Sequence, residues 1–210
     1  MLLAVKMHFD MTTQKFNNKA HFKTVKGLKT MGTKHYSTLM KFIHWVMAFQ
    51  IIALLAIGFY MDDMPWGESK KTLMMLHKSC GVMALVFIAA RIMTRFSTPI
   101  PEPRGNVTIQ RLAKITSFFL YTFMAAMAFS GFFMSDLGGH PINFFGLTQL
   151  PHLFSKNTQL AQKFHLIHVY VGIPLATLIG LHFLGALYHR FILNDDVLTR
   201  MLPRVCSKRR

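Results

Sequence analysis

Acidic residues are scarce in this chain. Its 210 residues hold 8 Asp and Glu against 24 Lys and Arg, a net charge of +16. Charged residues of both signs make up only 15% of the chain, and 52% is hydrophobic. That balance excludes several large soluble domains and indicates a membrane protein. The basic excess does not call for a nucleic-acid partner. Lys and Arg gather at the ends of apolar runs, and no motif that reads bases accompanies them. Cysteine is equally sparse. Cys80 and Cys206 cannot make a disulfide framework, and the topology below puts them on opposite sides of a membrane, where they cannot pair within one chain. No CxxCH occurs, which excludes covalent attachment of a c-type haem. No internal repeat is visible.

Long apolar runs, in contrast, are plentiful. Four are long enough to cross a bilayer as helices, which takes about 20 residues: Phe42–Tyr60, Leu73–Met93, Ile115–Met134 and Phe164–Leu193. Polar, Pro and Gly residues punctuate them, including Asp62, Asp63 and Pro65 after the first and STPIPEPRG after the second. The expected fold is all-α, a transmembrane four-helix bundle. A loop over 135–163, with Pro141 and Pro151, is expected at the membrane surface. Nineteen of the Lys and Arg fall on one side of this topology and five on the other. The richer side holds both termini, which the positive-inside rule assigns to the cytoplasm. Residues 1–35 read as a basic cytoplasmic tail without fixed structure, in contact with anionic lipid. A transit peptide or a start placed too far upstream fits that stretch as well. Residues 36–204 form the membrane domain, and 205–210 a short basic tail.

The last apolar run carries His165, His168, His182 and His189. Ionisable groups in a spanning helix are expensive and are functional suspects. His168 and His182 are fourteen residues apart, about four turns and 21 Å, so they share a face near opposite membrane surfaces. His44 starts the first run at the inner side, and His77 starts the second at the outer side. Depth therefore pairs His44 with His182 inside and His77 with His168 outside. Zinc prefers four protein ligands, or three and a water. Each level here offers two imidazoles in apolar surroundings without carboxylates, which suits a haem iron with two axial ligands. Small residues stand one turn away on the same faces: Ala48, Gly81, Gly172, Gly185 and Ala186. The pattern is that of a bundle holding two haem b groups. Hydrogen bonding to backbone and headgroup contact remain the alternatives for any single histidine, with His165 the substitute for His168. His35, His140, His152 and His189 read as loop or interfacial residues. Arg91, fourteen residues after His77, shares its face near the inner level, where it could meet a haem propionate or a quinone oxygen, or else snorkel to the surface. Lys70, Lys71, Lys78, Lys156 and Lys163 are the five outer cations, candidates for steering an anion or for headgroup contact. Trp45 and Gln50 are weaker inner-site candidates.

Four pieces of sequence are the most specific: IHW at 43–45, LHKSCG at 76–81, GLH at 180–182 and RMLPR at 200–204. In their order and spacing, from about Tyr36 to Arg204, the chain resembles the bacterial cytochrome b561 family of di-haem, four-helix membrane proteins. The resemblance implies that His44, His77, His168 and His182 ligate the two haem irons. It also implies a place in the bacterial inner membrane and a link to quinone. One branch of the family takes electrons from superoxide at the outer side and passes them to ubiquinone. Related haem b subunits anchor hydrogenases and formate dehydrogenases, relaying electrons between a redox partner protein and the quinone pool. A metal or proton transporter using the histidines is the reading that involves no haem.

Overall fold

A computed structural model describes residues 35–203; Cys206 and the two tails lie outside them. Four long helices dominate: α1 (Thr38–Asp62), α2 (Glu68–Ser97), α3 (Val107–Leu137) and α4 (Thr158–Phe191), followed by a single turn and a half of helix, α5 (Val197–Met201). All four long helices are apolar and long enough to span a membrane. Large apolar side chains such as Phe49, Val86, Phe118, Phe129, Ile173 and Phe183 point outward, as a lipid-facing surface requires.

Each helix starts before the apolar run that announces it, because hydropathy marks the hydrocarbon core while capping marks the helix. Ser37 Oγ accepts from Met40 N, Asn106 Oδ1 from Ile109 N and Asn157 Oδ1 from Leu160 N. α4 also stops two residues short of the expected Leu193. Beyond it Asn194 turns with φ of 50°, and His189 Nδ1 lies 2.6 Å from Asp195 Oδ2. Pro174 sits inside α4 and removes one backbone donor, yet the helix runs on through it.

Packing is uneven around the bundle. α1 lies along α2 and α3 along α4, α2 also meets α3, and α1 touches α4 only sparingly. Two apolar clusters fill the middle. One joins Ile43 and Met47 to Ile88. The other joins Ile51, Ala84 and Leu175, so that three helices meet there.

The two ends of the bundle are closed by polar ties. At the end bearing the termini, α5 lies under α1. Trp45 Nε1 donates to Met201 O at 3.0 Å and Lys41 Nζ to Leu202 O at 3.0 Å. Arg200 Nη1 donates to Glu102 O at 2.8 Å, and Asp196 sits between Arg104 (3.1 Å) and Arg200 (3.0 Å). The hydrogen bond from Arg104 and the nearby Arg200 hold the Asp196 carboxyl down to about 2.

At the opposite end, residues 138–157 carry a two-stranded hairpin, β1 (Asn143–Phe144) paired antiparallel with β2 (Thr148–Gln149), Asn143 opposite Gln149. The expectation of a plain surface loop missed this element. Phe145 at its turn has φ of 52°, a left-handed conformation costing about 1–3 kcal/mol in a residue with a side chain. Its N–H is held by Ser79 Oγ at 2.9 Å, and Ser79 Oγ also lies 2.8 Å from Met75 O and 3.1 Å from Asn143 O. This fully buried hydroxyl thus pins the hairpin to α2. Buried Asp136 does the same for the second half of the loop, accepting from Leu153 N and Phe154 N and pairing with His152 Nδ1 at 3.0 Å.

Candidate functional site

The fold brings the four histidines together in two pairs. At the termini end, His44 of α1 faces His182 of α4, with ring centroids 6.3 Å apart and planes at 77°. At the hairpin end, His77 of α2 faces His168 of α4, 6.1 Å apart and at 80°. α4 supplies one imidazole to each pair.

These gaps have a chemical meaning. Two imidazole nitrogens that bind one metal from opposite sides each sit about 2.0–2.1 Å from it, which puts the ring centres roughly 6.3 Å apart. Both pairs match that separation. The donor set fits a haem b at each level: two neutral nitrogen donors, apolar walls and small residues beside them. At the hairpin end a mostly apolar cavity is lined among others by His77, His168, Lys78, Gly81, Gly131 and Ile142. A methyl group added to Gly81 would meet nothing within 4 Å, so α2 presents open space one turn from His77. Among the described residues, no three His, Cys, Asp or Glu side chains gather as a metal cluster.

The tautomer of His168 follows from its neighbour. Its Nδ1 lies 2.9 Å from the carbonyl oxygen of Met127 on α3. A carbonyl can only accept, so Nδ1 carries the proton and Nε2 keeps the lone pair that a metal needs. His77 differs, since its buried Nδ1 has no hydrogen-bond partner among the described residues.

The remaining predicted residues scatter. Arg91 stands within electrostatic range of both His44 and His182, and its Nη1 approaches Met40 O at 3.5 Å, which puts it at the termini end. Lys78 lines the hairpin-end cavity. Lys70 is tied to Met64 O at 2.7 Å, and Lys71 pairs with Glu68 at 2.7 Å. Lys156 packs against Gly139, and Lys163 is exposed on the second turn of α4. Trp45 sits edge-on to His44 at 5.5 Å and anchors α5. Gln50 is not at the termini-end pair. Its Nε2 donates to Cys80 O at 2.8 Å, three residues past His77, which bridges α1 and α2 at mid-depth. His165 is exposed and joins neither pair. Sequence reasoning passed over Met127, Ser130 and Gly131 of α3. A Ser-Gly pair in an apolar run reads only as packing, and no sequence signal marked it as support for an imidazole.

Comparison with known proteins agrees with this architecture. Residues 35–204 match the family described as prokaryotic cytochrome b561. The chain is 33% identical over 178 residues to a Yersinia pestis protein named "Probable superoxide oxidase CybB", a match covering 81% of this chain and 97% of that one. It is 27% identical over 181 residues to "Cytochrome b561 homolog 2" of Escherichia coli (strain K12), covering 85% and 96%. "Cytochrome b561 homolog 1" of the same organism is 24% identical over 172 residues, covering 80% and 97%. Matched over nearly all of its described length, the chain belongs to the prokaryotic cytochrome b561 family, electron-transfer proteins of the membrane that bind haem b.

Proposed function

We propose that this chain holds two haem b groups, one between His44 and His182 and one between His77 and His168, and oxidises superoxide at the hairpin end while reducing ubiquinone. The observation that carries the reading is the pair of facing imidazoles at 6.3 and 6.1 Å, stacked along one helix. The name of the Yersinia pestis relative supports superoxide as the donor. When bound, the haems supply one-electron transfer through the low-dielectric core. Two superoxide ions then yield two oxygen molecules, and their two electrons with two protons convert one quinone to its quinol.

The chain's own residues do the rest. The bundle lies in the bacterial inner membrane with both termini in the cytoplasm, so the hairpin end faces outward; nineteen basic residues on the termini side support that orientation. Superoxide is an anion. Of the five outward cations, Lys78 reaches the cavity itself, while Lys70 and Lys71 are engaged locally and Lys156 and Lys163 extend the positive field at the rim. The Met127 carbonyl keeps the His168 proton on Nδ1 and its Nε2 ready to ligate. At the termini end the Arg91 guanidinium binds an anionic propionate or polarises a quinone oxygen.

The test is a reduced-minus-oxidised spectrum of the purified protein, followed by stopped-flow mixing with superoxide in the presence of ubiquinone. Two haem b per chain that reduce rapidly are expected. Two haems that stay oxidised would move the function to a relay for a partner dehydrogenase or hydrogenase, and a colourless protein would overturn both readings.

A further inference from the structure

α3 contributes none of the four facing imidazoles, yet it makes the only hydrogen bonds that any of them receives among the described residues. Three consecutive features of one helical turn converge on His168. The Met127 carbonyl oxygen lies 2.9 Å from Nδ1. Ser130 Oγ, with Ser130 only 2% exposed, donates to the same carbonyl at 3.1 Å and stands 3.3 Å from Nδ1. Gly131 presents bare backbone to the ring: a Cβ there would lie 2.9 Å from His168 Cε1 and 3.1 Å from Nδ1.

Each feature has a separate physical effect. The carbonyl can only accept, so it fixes the proton on Nδ1. The serine hydroxyl spends its hydrogen on that carbonyl and turns a lone pair toward Nδ1–H, giving the proton a second acceptor. Two acceptors on Nδ1–H make the imidazole a more basic ligand. The glycine lets the ring lie against the α3 backbone, at a contact real Cβ atoms essentially never make. His77 has only a looser counterpart: a Cβ on Gly58 of α1 would lie 3.4 Å from its Cε1, an ordinary contact, and its buried Nδ1 has no hydrogen-bond partner among the described residues.

We propose that Ser130 and Gly131 are positioning residues for His168, and that through them α3 sets the reduction potential of the hairpin-end haem alone. The proposal rests on the reading of His168 as a haem ligand. A more basic axial imidazole favours the oxidised iron, so weakening the cradle raises the potential. In Gly131→Ala the added methyl collides with a ring that Met127 holds and that a haem iron would hold as well, so the ring must tilt and loosen its bond to the carbonyl.

The experiment uses the full-length holoprotein, with His168→Ala, Gly131→Ala and Ser130→Ala variants. Haem content, redox titration and the electron paramagnetic resonance of the two ferric haems are compared with the unaltered chain. Gly131→Ala is expected to change the resonance of one haem and raise its midpoint potential, or to release that haem, while the second haem keeps its potential. Ser130→Ala is expected to move the same haem in the same direction by less, and keeps the idea testable if Gly131→Ala does not assemble. Loss of one haem in His168→Ala, with both haems unchanged in the two α3 variants, sinks the proposal and leaves the ligand assignment standing. Retention of two haems in His168→Ala sinks the ligand assignment itself. Equal shifts in both haems would show a general structural role and also overturn it.

Discussion

The two imidazole pairs are almost the same in geometry and quite different in support. At the hairpin end His168 is hydrogen-bonded to α3, the cavity is walled by all four long helices, and the loop fixed by Ser79 and Asp136 adds Ile142 to its lining. At the termini end His44 and His182 have no hydrogen bond among the described residues, α1 and α4 meet sparingly, and His182 is the most exposed of the four. What the termini end has instead is charge, with Arg91 in electrostatic range of both rings. One pair is therefore supported by hydrogen bonds and backbone contact, while the other has a cation in range. This is a division of means, and it can be broken experimentally one level at a time.

The largest effects come from the ligands. His182→Ala is expected to remove the termini-end haem and leave the hairpin-end haem, and His77→Ala the reverse, each reducing the haem-to-protein ratio from two to one. If either substitution removes both haems, the levels are not independent and the comparison fails. Next comes Arg91→Leu. A cation beside a haem favours the reduced, less positive iron, so its removal lowers the midpoint potential at the termini end. The size is on the order of 1 kcal/mol, or tens of millivolts, for a charge interaction in a partly screened interior. Redox titration should show the hairpin-end haem unmoved, and a shift there instead would place Arg91's influence at the wrong level.

Lys78→Gln sharpens the other side. Superoxide consumption is expected to slow several-fold at low salt and to lose much of its salt dependence, whereas Lys71→Gln changes little because Lys71 is already paired with Glu68. Equal losses in the two variants would make the field diffuse and deny Lys78 a special place. The smallest effect is at Asp196. Its folded carboxyl is held at about 2 against a usual 3.8, so its contribution is complete above pH 3.8 and disappears as pH falls toward 2. Acid titration followed at the termini-end haem should show a weak transition in that window that Asp196→Asn abolishes. The pair is exposed, so only a small fall in melting temperature is expected at neutral pH.

Much of the fold could be read from the residues because bilayers impose a coarse rule. Four apolar runs gave four helices, and a fourteen-residue spacing placed His168 and His182 on one face through Pro174. Histidines in apolar helices stand out, so the pairs could be named in advance. The helix ends were misjudged by up to eight residues, as at Val107, because a capping Asn106 in a polar stretch does not alter hydropathy. The hairpin, the Ser79 and Asp136 pins, and the α5 clasp could not be read. Each depends on one buried polar atom meeting backbone from a distant part of the chain, and a single Ser or Asp has no periodicity to detect. The α3 cradle was hidden for a further reason. Its key acceptor is a main-chain carbonyl, which every residue possesses, and the specificity comes from what Gly131 lacks.

That α4 contributes to both levels gives the molecule a built-in ruler. Helices in a bundle slide and breathe against one another, which changes gaps between helices by fractions of an ångström. The distance between the levels does not depend on any such gap. It is written into one continuous helix as fourteen residues at about 1.5 Å each. Lipid thickness, temperature and the fit of neighbouring helices can loosen the grip at either end, but the span between the two imidazole pairs stays constant.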